Sequence, residues 1–384
     1  MYDAVVIGAG PAGLFASLRL AQSGLRVALL EEHQVIGDPV HCTGILAREA
    51  FDQFDLPGSV ILNELTTARF FSPSGLDVVY NTRTIEAVAI DRMAFDAALA
   101  ERALRAGVDL RHECRAIGVH VHKDGVVVSV ARHADVHARI CILACGGRYA
   151  LHRQLGLTVP SLFLHTAQRE LPVESPDDVE VHFGSHVAPR GFGWVVPIRR
   201  GARFYARIGV MSEDRAPTYF ERMVARVSER WGVEPVEGAP RQKILPLNRI
   251  AKTYGERLLV VGDAAGLVKP TTGGGIYYSL VSASIAAEVS VEALCEGDLS
   301  AGRLAEYERR WRERLEDELD TQLTFRTLAQ RMPDEDIEGL FELARTDGVM
   351  PIVRRTATFN RHRQLIVALL KHPPARQLFL RSFL

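Results

Sequence analysis

The 384-residue chain carries 46 lysines and arginines against 47 aspartates and glutamates, a formal net charge of −1, and 47% hydrophobic residues. That balance suits a globular protein long enough for two domains, and a near-zero charge excludes a global field that would recruit nucleic acid. The five cysteines, Cys42, Cys114, Cys141, Cys145 and Cys295, contain no CxxC pair, so no metal site is expected and a reducing, cytoplasmic setting is.

Residues 2–7 are apolar and β-branched, as a strand buried on both faces requires. The loop Gly8-Ala9-Gly10-Pro11-Ala12-Gly13 follows and opens a helix over 11–23, which Gly24 stops; a second buried strand, 26–30, ends at Glu31. This βαβ unit has the dinucleotide fingerprint. Gly8 permits the tight turn, Gly10 lets the backbone approach a pyrophosphate, and Gly13 allows close helix–strand packing. The helix N-terminus offers amide donors to the phosphates, and Glu31 accepts from ribose hydroxyls.

Residues 66–81 read as a hairpin across Ser72-Pro73-Ser74-Gly75, and 91–106 as a helix with Asp91 at its N-cap. A second hairpin spans 114–131 across Lys123-Asp124-Gly125, and 139–144 is a buried strand leading to Gly146. Short β-like runs and prolines fill 158–247, with one helix near 218–231. The parallel sheet resumes at 258–262, a long small-residue helix covers 275–294, and 301–384 is largely helical. No run of about 18 uninterrupted apolar residues appears, and no signal peptide precedes the first strand.

The segment Leu258-Leu259-Val260-Val261-Gly262-Asp263 places a carboxylate at the end of a buried strand, in the crevice where open α/β sheets bind ligands. It resembles the second FAD motif of glutathione-reductase-like and hydroxylase-like flavoproteins, whose aspartate bonds the ribityl chain. No second GxGxxG for a nicotinamide cofactor is present, so the reading selects FAD. The expected fold is α/β: a Rossmann-type FAD-binding domain over 1–65, 82–157 and 248–298, an inserted antiparallel-sheet substrate domain over 66–81 and 158–247, and a helical C-terminal region over 299–384.

Four further segments resemble the geranylgeranyl reductase family. They are Asp38-Pro39-Val40-His41-Cys42-Thr43-Gly44, Asp91-Arg92-Met93-Ala94-Phe95-Asp96, Gly191-Phe192-Gly193-Trp194-Val195-Val196-Pro197, and Lys269-Pro270-Thr271-Thr272-Gly273-Gly274-Gly275-Ile276-Tyr277-Tyr278. The resemblance covers residues 1–330 and implies FAD-dependent saturation of isoprenoid double bonds. It implies cofactor contacts from Gly8, Gly10, Pro11, Ala12, Gly13, Glu31, Glu32, Cys42, Thr43, Gly44, Arg92, Gly146, Asp263, Gly273, Gly274, Gly275 and Ile276. Phe192, Trp194 and Pro197 are the expected substrate contacts, within a lining that draws on Phe70, Phe71, Phe163, Phe183, Phe204 and Tyr205.

An isolated alkene accepts hydride poorly, so a proton must reach its other carbon; Cys42, His41 and Tyr277 are the candidate acids. Where the family motif often continues into lysine after its proline, this chain has Ile198-Arg199. The electron donor is left between NAD(P)H and a ferredoxin-like protein. Alternatives are a flavin monooxygenase and a non-catalytic or quinone-linked electron-transfer flavoprotein. The absence of lysine before Lys123 disfavours a halogenase, and the lack of cysteine after Cys295 disfavours the C-terminal iron–sulfur cluster of quinone-reducing electron-transfer flavoproteins. Beyond Asp347 the chain has no acidic residue and carries Arg354, Arg355, Arg361, Arg363, Lys371, Arg376 and Arg381, a basic amphipathic tail suited to the inner face of the cytoplasmic membrane.

Overall fold

A computed structural model describes residues 1–174, 176–346 and 348–381. Asp347, the last acidic residue of the sequence, lies outside the described residues. The chain folds as two compact units, one from Met1–Val40, Arg92–Leu162 and Pro246–Leu319, the other from His41–Asp91, Phe163–Leu245 and Asp320–Leu384.

The first unit is built on an eight-stranded sheet. Its main path runs Tyr254–Gly255, Leu258–Val260, Val136–Leu143, Tyr2–Ile7, Val27–Leu30 and Asp109–Arg111. The hairpin Ala116–His122 and Gly125–Val130 attaches to Val136–Leu143. Tyr2–Ile7 pairs in parallel on both sides, with Val6 opposite Ile142 and Leu29, and Ala4 to Ile7 are at most 5% exposed. Such two-sided burial explains why these strands read as unbroken apolar runs.

Pro11 starts the helix Pro11–Gln22, where its fixed φ suits the first turn and no amide is lost. This helix packs on Ile276–Glu296 and on Arg92–Arg105. Among the described residues Ile276–Glu296 is the one helix long and apolar enough to cross a membrane, and most of it is buried inside the unit. Burial of most of its surface accounts for its largely apolar composition, and Glu288 falls where it is exposed.

The second unit contains a seven-stranded sheet in the order Arg241–Pro246, Phe163–Pro172, Arg203–Ser212, Phe192–Arg200, Val179–His182, Thr67–Phe71 and Asp77–Asn81. The helix Ala216–Trp231 covers one face, setting Tyr219, Phe220, Met223, Val227 and Trp231 on Ala167, Val195, Ile208 and Val210. A small sheet of Ile45–Ala47, Ala87–Ile90 and Ile61–Leu65 lies on the other face. There Ile45, Leu62, Leu65 and Ala89 pack on Val179, Val196 and Ile198.

Segments 41–65 and 82–91, which the sequence pattern groups with the FAD-binding segments, fall in the second unit. Their apolar side chains are buried by the antiparallel sheet. Of the helix Ala301–Ala329, residues 301–319 belong to the first unit and 320–329 to the second. The four helices from Asp334 to Arg381 close over Val349, Ala375 and Phe379. All seven basic residues from Arg354 to Arg381 are exposed.

Candidate active site

The glycine loop is shaped by contacts that exclude side chains. Gly8 has φ +103°, and a Cβ there would lie 2.6 Å from the Ala144 carbonyl oxygen. A Cβ on Gly13 would lie 1.8 Å from the Gly8 carbonyl oxygen. At Gly10 a Cβ would meet no atom within 4 Å, so this stretch of backbone faces open space at the helix N-terminus. Glu31, 9% exposed, turns its carboxylate back to the loop: it accepts the Ala9 amide at 2.7 Å, the His33 amide at 3.0 Å and His33 Nδ1 at 2.6 Å. Glu32 pairs with Arg148 at 2.5 Å.

The Gly262-Asp263 turn meets the glycine loop directly. Gly262 has φ +61°, and a Cβ on it would lie 2.8 Å from Ser279 Oγ and 3.0 Å from Ala12 Cβ. A Cβ on Gly275 would lie 2.6 Å from Asp263 Oδ1, so the carboxylate rests against the glycine run itself. The run folds back on Lys269, whose carbonyl accepts the Gly273 amide at 2.8 Å. Lys269 is 3% exposed, and its Cε would lie 2.6 Å from a Cβ on Gly274.

Two residues that sequence patterns did not single out hold this turn from behind. Tyr149 donates its hydroxyl to the Asp263 carbonyl at 3.2 Å, and His152 Nε2 meets the Ala264 carbonyl at 2.8 Å. Burial pushes the Tyr149 hydroxyl far up and the His152 ring down, so both are neutral at physiological pH. Their only sequence signal was their place just beyond Gly146, which has φ +60°. Arg92 pairs with Asp96 on its own helix at 2.6 Å. Ile276 opens the helix after the glycine run and Tyr277, 5% exposed, stands beside Tyr278.

These residues fit FAD. A strained glycine turn, an open helix N-terminus, an acidic residue closing the second strand and a carboxylate beside a glycine run all occur in one unit. With FAD bound, they would offer phosphate amides, a ribose acceptor, a ribityl acceptor and a side-chain-free surface.

In the second unit the Cys42 loop is pinned at three points. The Gly44 amide donates to Cys42 Sγ at 3.3 Å, Thr43 Oγ1 donates to Gln168 Oε1 at 2.7 Å, and Arg207 Nη1 donates to the Thr43 carbonyl at 2.7 Å. Arg207, 5% exposed, also reaches the Ile90 carbonyl at 2.8 Å and Glu170 at 3.1 Å. His41 precedes this loop and is half-buried.

On the sheet, the Trp194 ring packs against Gly209, where a Cβ would come within 2.3 Å of it. Phe192 stands edge-on to Trp194 at 5.9 Å, and Phe183 lies 6.2 Å from Phe192 and 6.0 Å from Phe341. Pro197 is buried in the strand, with its carbonyl accepting from Asn63 at 3.1 Å. Phe71 stacks on His182 at 4.4 Å, and Phe204 is 36% exposed under Arg199. The structure thus gathers Phe183, Phe192 and Trp194 into one aromatic cluster and places Phe71 and Phe204 elsewhere.

Comparison with known proteins gives the family. The FAD binding domain family matches residues 1–321. A digeranylgeranylglycerophospholipid reductase of Methanocaldococcus jannaschii is 33% identical over 363 residues, covering 89% of this chain and 90% of the relative. The enzyme of that name from Methanosarcina acetivorans is 31% identical over 88% of each. A crystal structure of a geranylgeranyl bacteriochlorophyll reductase-like protein from Thermoplasma acidophilum superposes with a TM-score of 0.86, at 26% identity, covering 100% of this chain and 99% of that one. The halogenase PltM shares the fold alone, with a TM-score of 0.71 at 19% identity, covering 98% of this chain and 85% of PltM. The chain is an FAD-dependent oxidoreductase, and it belongs to the digeranylgeranylglycerophospholipid reductase family.

Proposed function

We propose that this oxidoreductase reduces carbon–carbon double bonds in an isoprenoid chain. The observation that carries the reading is the pinned Cys42-Thr43-Gly44 loop, held by Gln168 and Arg207 in the unit that also contains the aromatic cluster. Reduced FAD supplies the hydride, so the protein must hold a proton donor and exclude water from an apolar chain. Cys42 is the donor we assign. The Gly44 amide occupies a lone pair of Sγ, which leaves the S–H hydrogen available for transfer. The aromatic rings of Phe183, Phe192 and Trp194 supply apolar surface of the kind a prenyl chain requires.

The names of the relatives support a prenylated lipid as the substrate class. We further propose that the enzyme works at the inner face of the cytoplasmic membrane, from which such a substrate must be drawn; the exposed basic tail supports this contact. The electron donor is proposed as NAD(P)H or a ferredoxin-like protein.

The test is anaerobic. Protein reduced with dithionite is mixed with geranylgeraniol, and flavin reoxidation is followed at its visible absorbance. Reoxidation tied to loss of the alkene is expected, falling by at least about a hundredfold in Cys42→Ala. No reoxidation by any prenyl compound removes the proposed reaction, and unchanged turnover in both Cys42→Ala and Cys42→Ser removes Cys42 as the acid.

A further inference from the structure

The buried guanidinium groups of the second unit are not treated alike. Arg207 is matched by the Glu170 carboxylate and by two carbonyls. Arg326, on the helix Ala301–Ala329, is just as buried at 6% exposure. Among the described residues its one protein partner is the Arg190 carbonyl, to which Nη2 donates. Its buried Nε has no partner, and no carboxylate lies within ion-pairing distance among the described residues.

Burial pushes this guanidinium down to about 10, so it still carries its charge at neutral pH. A buried charge without a counter-ion is strongly disfavoured, and folded proteins remove the penalty by pairing. Here none of the described residues provides a pair.

The surroundings indicate what completes it. Arg190 has φ +56°, and a Cβ on the next residue, Gly191, would lie 1.6 Å from the Met211 carbonyl oxygen. That close approach fixes the turn presenting the Arg190 carbonyl to Arg326. The chain then runs straight into Phe192 and Trp194 of the aromatic cluster. Trp194 Nε1 is a second buried donor without a partner. A buried cation and an unpaired N–H beside an aromatic cluster match a ligand with an anionic oxygen head and an apolar chain.

We propose that Arg326 is an anion-binding residue that receives the phosphate of a phosphorylated prenyl substrate. The assignment rests on the isoprenoid reading above and adds a head-group site to it. Arg326 binds and orients; it takes no part in hydride or proton transfer.

The test uses the FAD-loaded full chain and titration calorimetry with geranylgeranyl monophosphate and with geranylgeraniol. Wild-type protein is expected to bind the phosphate about tenfold or more tightly than the alcohol. Arg326→Gln should lose that preference while binding the alcohol as before, and Arg326→Lys should keep part of it. Inorganic phosphate should compete with the prenyl phosphate in wild type and not in Arg326→Gln.

Equal binding of the two ligands by wild type overturns the proposal, and so does a preference that survives in Arg326→Gln. If Arg326→Gln does not fold, the wild-type comparison and Arg326→Lys still decide. If neither prenyl compound binds, the isoprenoid reading fails separately. The anion site is then judged by inorganic phosphate alone, which must raise the thermal midpoint of wild type, and raise that of Arg326→Lys by less.

Discussion

Replacing Gly13 with alanine puts the packing of the glycine loop to a quantitative test. The added carbon would sit 1.8 Å from the Gly8 carbonyl oxygen, whereas real side-chain carbons essentially never come within 3.0 Å of another heavy atom. Both groups are held by backbone, so no rotamer change relieves the clash, and the helix Pro11–Gln22 must retreat by more than about 1 Å. That helix is locked between Ile276–Glu296 and Arg92–Arg105. The cost therefore belongs at the upper end of the overpacking range, about 3 kcal/mol. For a domain of this size that corresponds to a fall of about 6–12 °C in thermal midpoint. FAD should be lost as well, because the phosphate amides ride on the displaced turn.

Gly10→Ala is the matched control, since its Cβ meets nothing within 4 Å. It should leave the apoprotein midpoint within about 1 °C while still weakening FAD binding, because the methyl group stands where the pyrophosphate must approach. Differential scanning fluorimetry on the apoproteins and flavin absorbance on the holoproteins read the two effects separately. A Gly13→Ala protein with wild-type midpoint and flavin content refutes the reasoning, as does a Gly10→Ala apoprotein as destabilised as Gly13→Ala.

Glu31→Ala removes the carboxylate that accepts the Ala9 amide and is the proposed ribose acceptor; FAD affinity by fluorescence quenching should fall about 10–100-fold, and a change under threefold contradicts the assignment. Arg207→Met strands the Thr43 and Ile90 carbonyls and should cost about 2–4 kcal/mol in urea unfolding, a loss below 1 kcal/mol being incompatible with the pinned loop. Acid should destabilise the fold before neutral carboxylates do. Burial lowers the proton affinity of His152 and His182, and for His182 it outweighs the Glu180 carboxylate at 2.7 Å. The unfolded chain therefore binds more protons as pH drops below about 6.5, so stability is full above that value and declines through the window beneath it. Thermal midpoints from pH 7.5 to 5 should fall, and His152→Asn, His182→Asn double substitution should flatten the decline; a midpoint independent of pH in wild type refutes it.

The legibility of this chain follows burial. Strands buried on both faces, 2–7, 26–30 and 139–144, declare themselves because every residue must be apolar. The glycine positions were legible because an added Cβ would meet backbone at Gly8 and Gly13 and closely packed side chains at Gly262 and Gly275. The three-stranded sheet of 45–47, 61–65 and 87–90 was not, since its short strands have no sustained alternation and their partner surface lies more than a hundred residues downstream. Arg207 was invisible for a similar reason. A single arginine inside an apolar strand gains meaning only when Glu170, Thr43 and Ile90 are seen to converge on it. Lys269 lay within a recognised motif, yet its burial behind Gly274 depends on a turn that no pattern encodes.

The contact of Gly262 with Ala12 and Ser279 also sets a timetable for biogenesis. The two halves of the nucleotide cradle are about 250 residues apart in the chain, and a ribosome releases the first long before the second. An emerging N-terminal βαβ segment has neither the Asp263 carboxylate nor the Ser279 wall, and the polypeptide between them must be made, and its intervening unit accommodated, before the three small residues can touch. Cofactor loading in this architecture is a late event, closer to the end of synthesis than to its start, and nascent chains stalled before Asp263 would be flavin-free however well their glycine loop had folded.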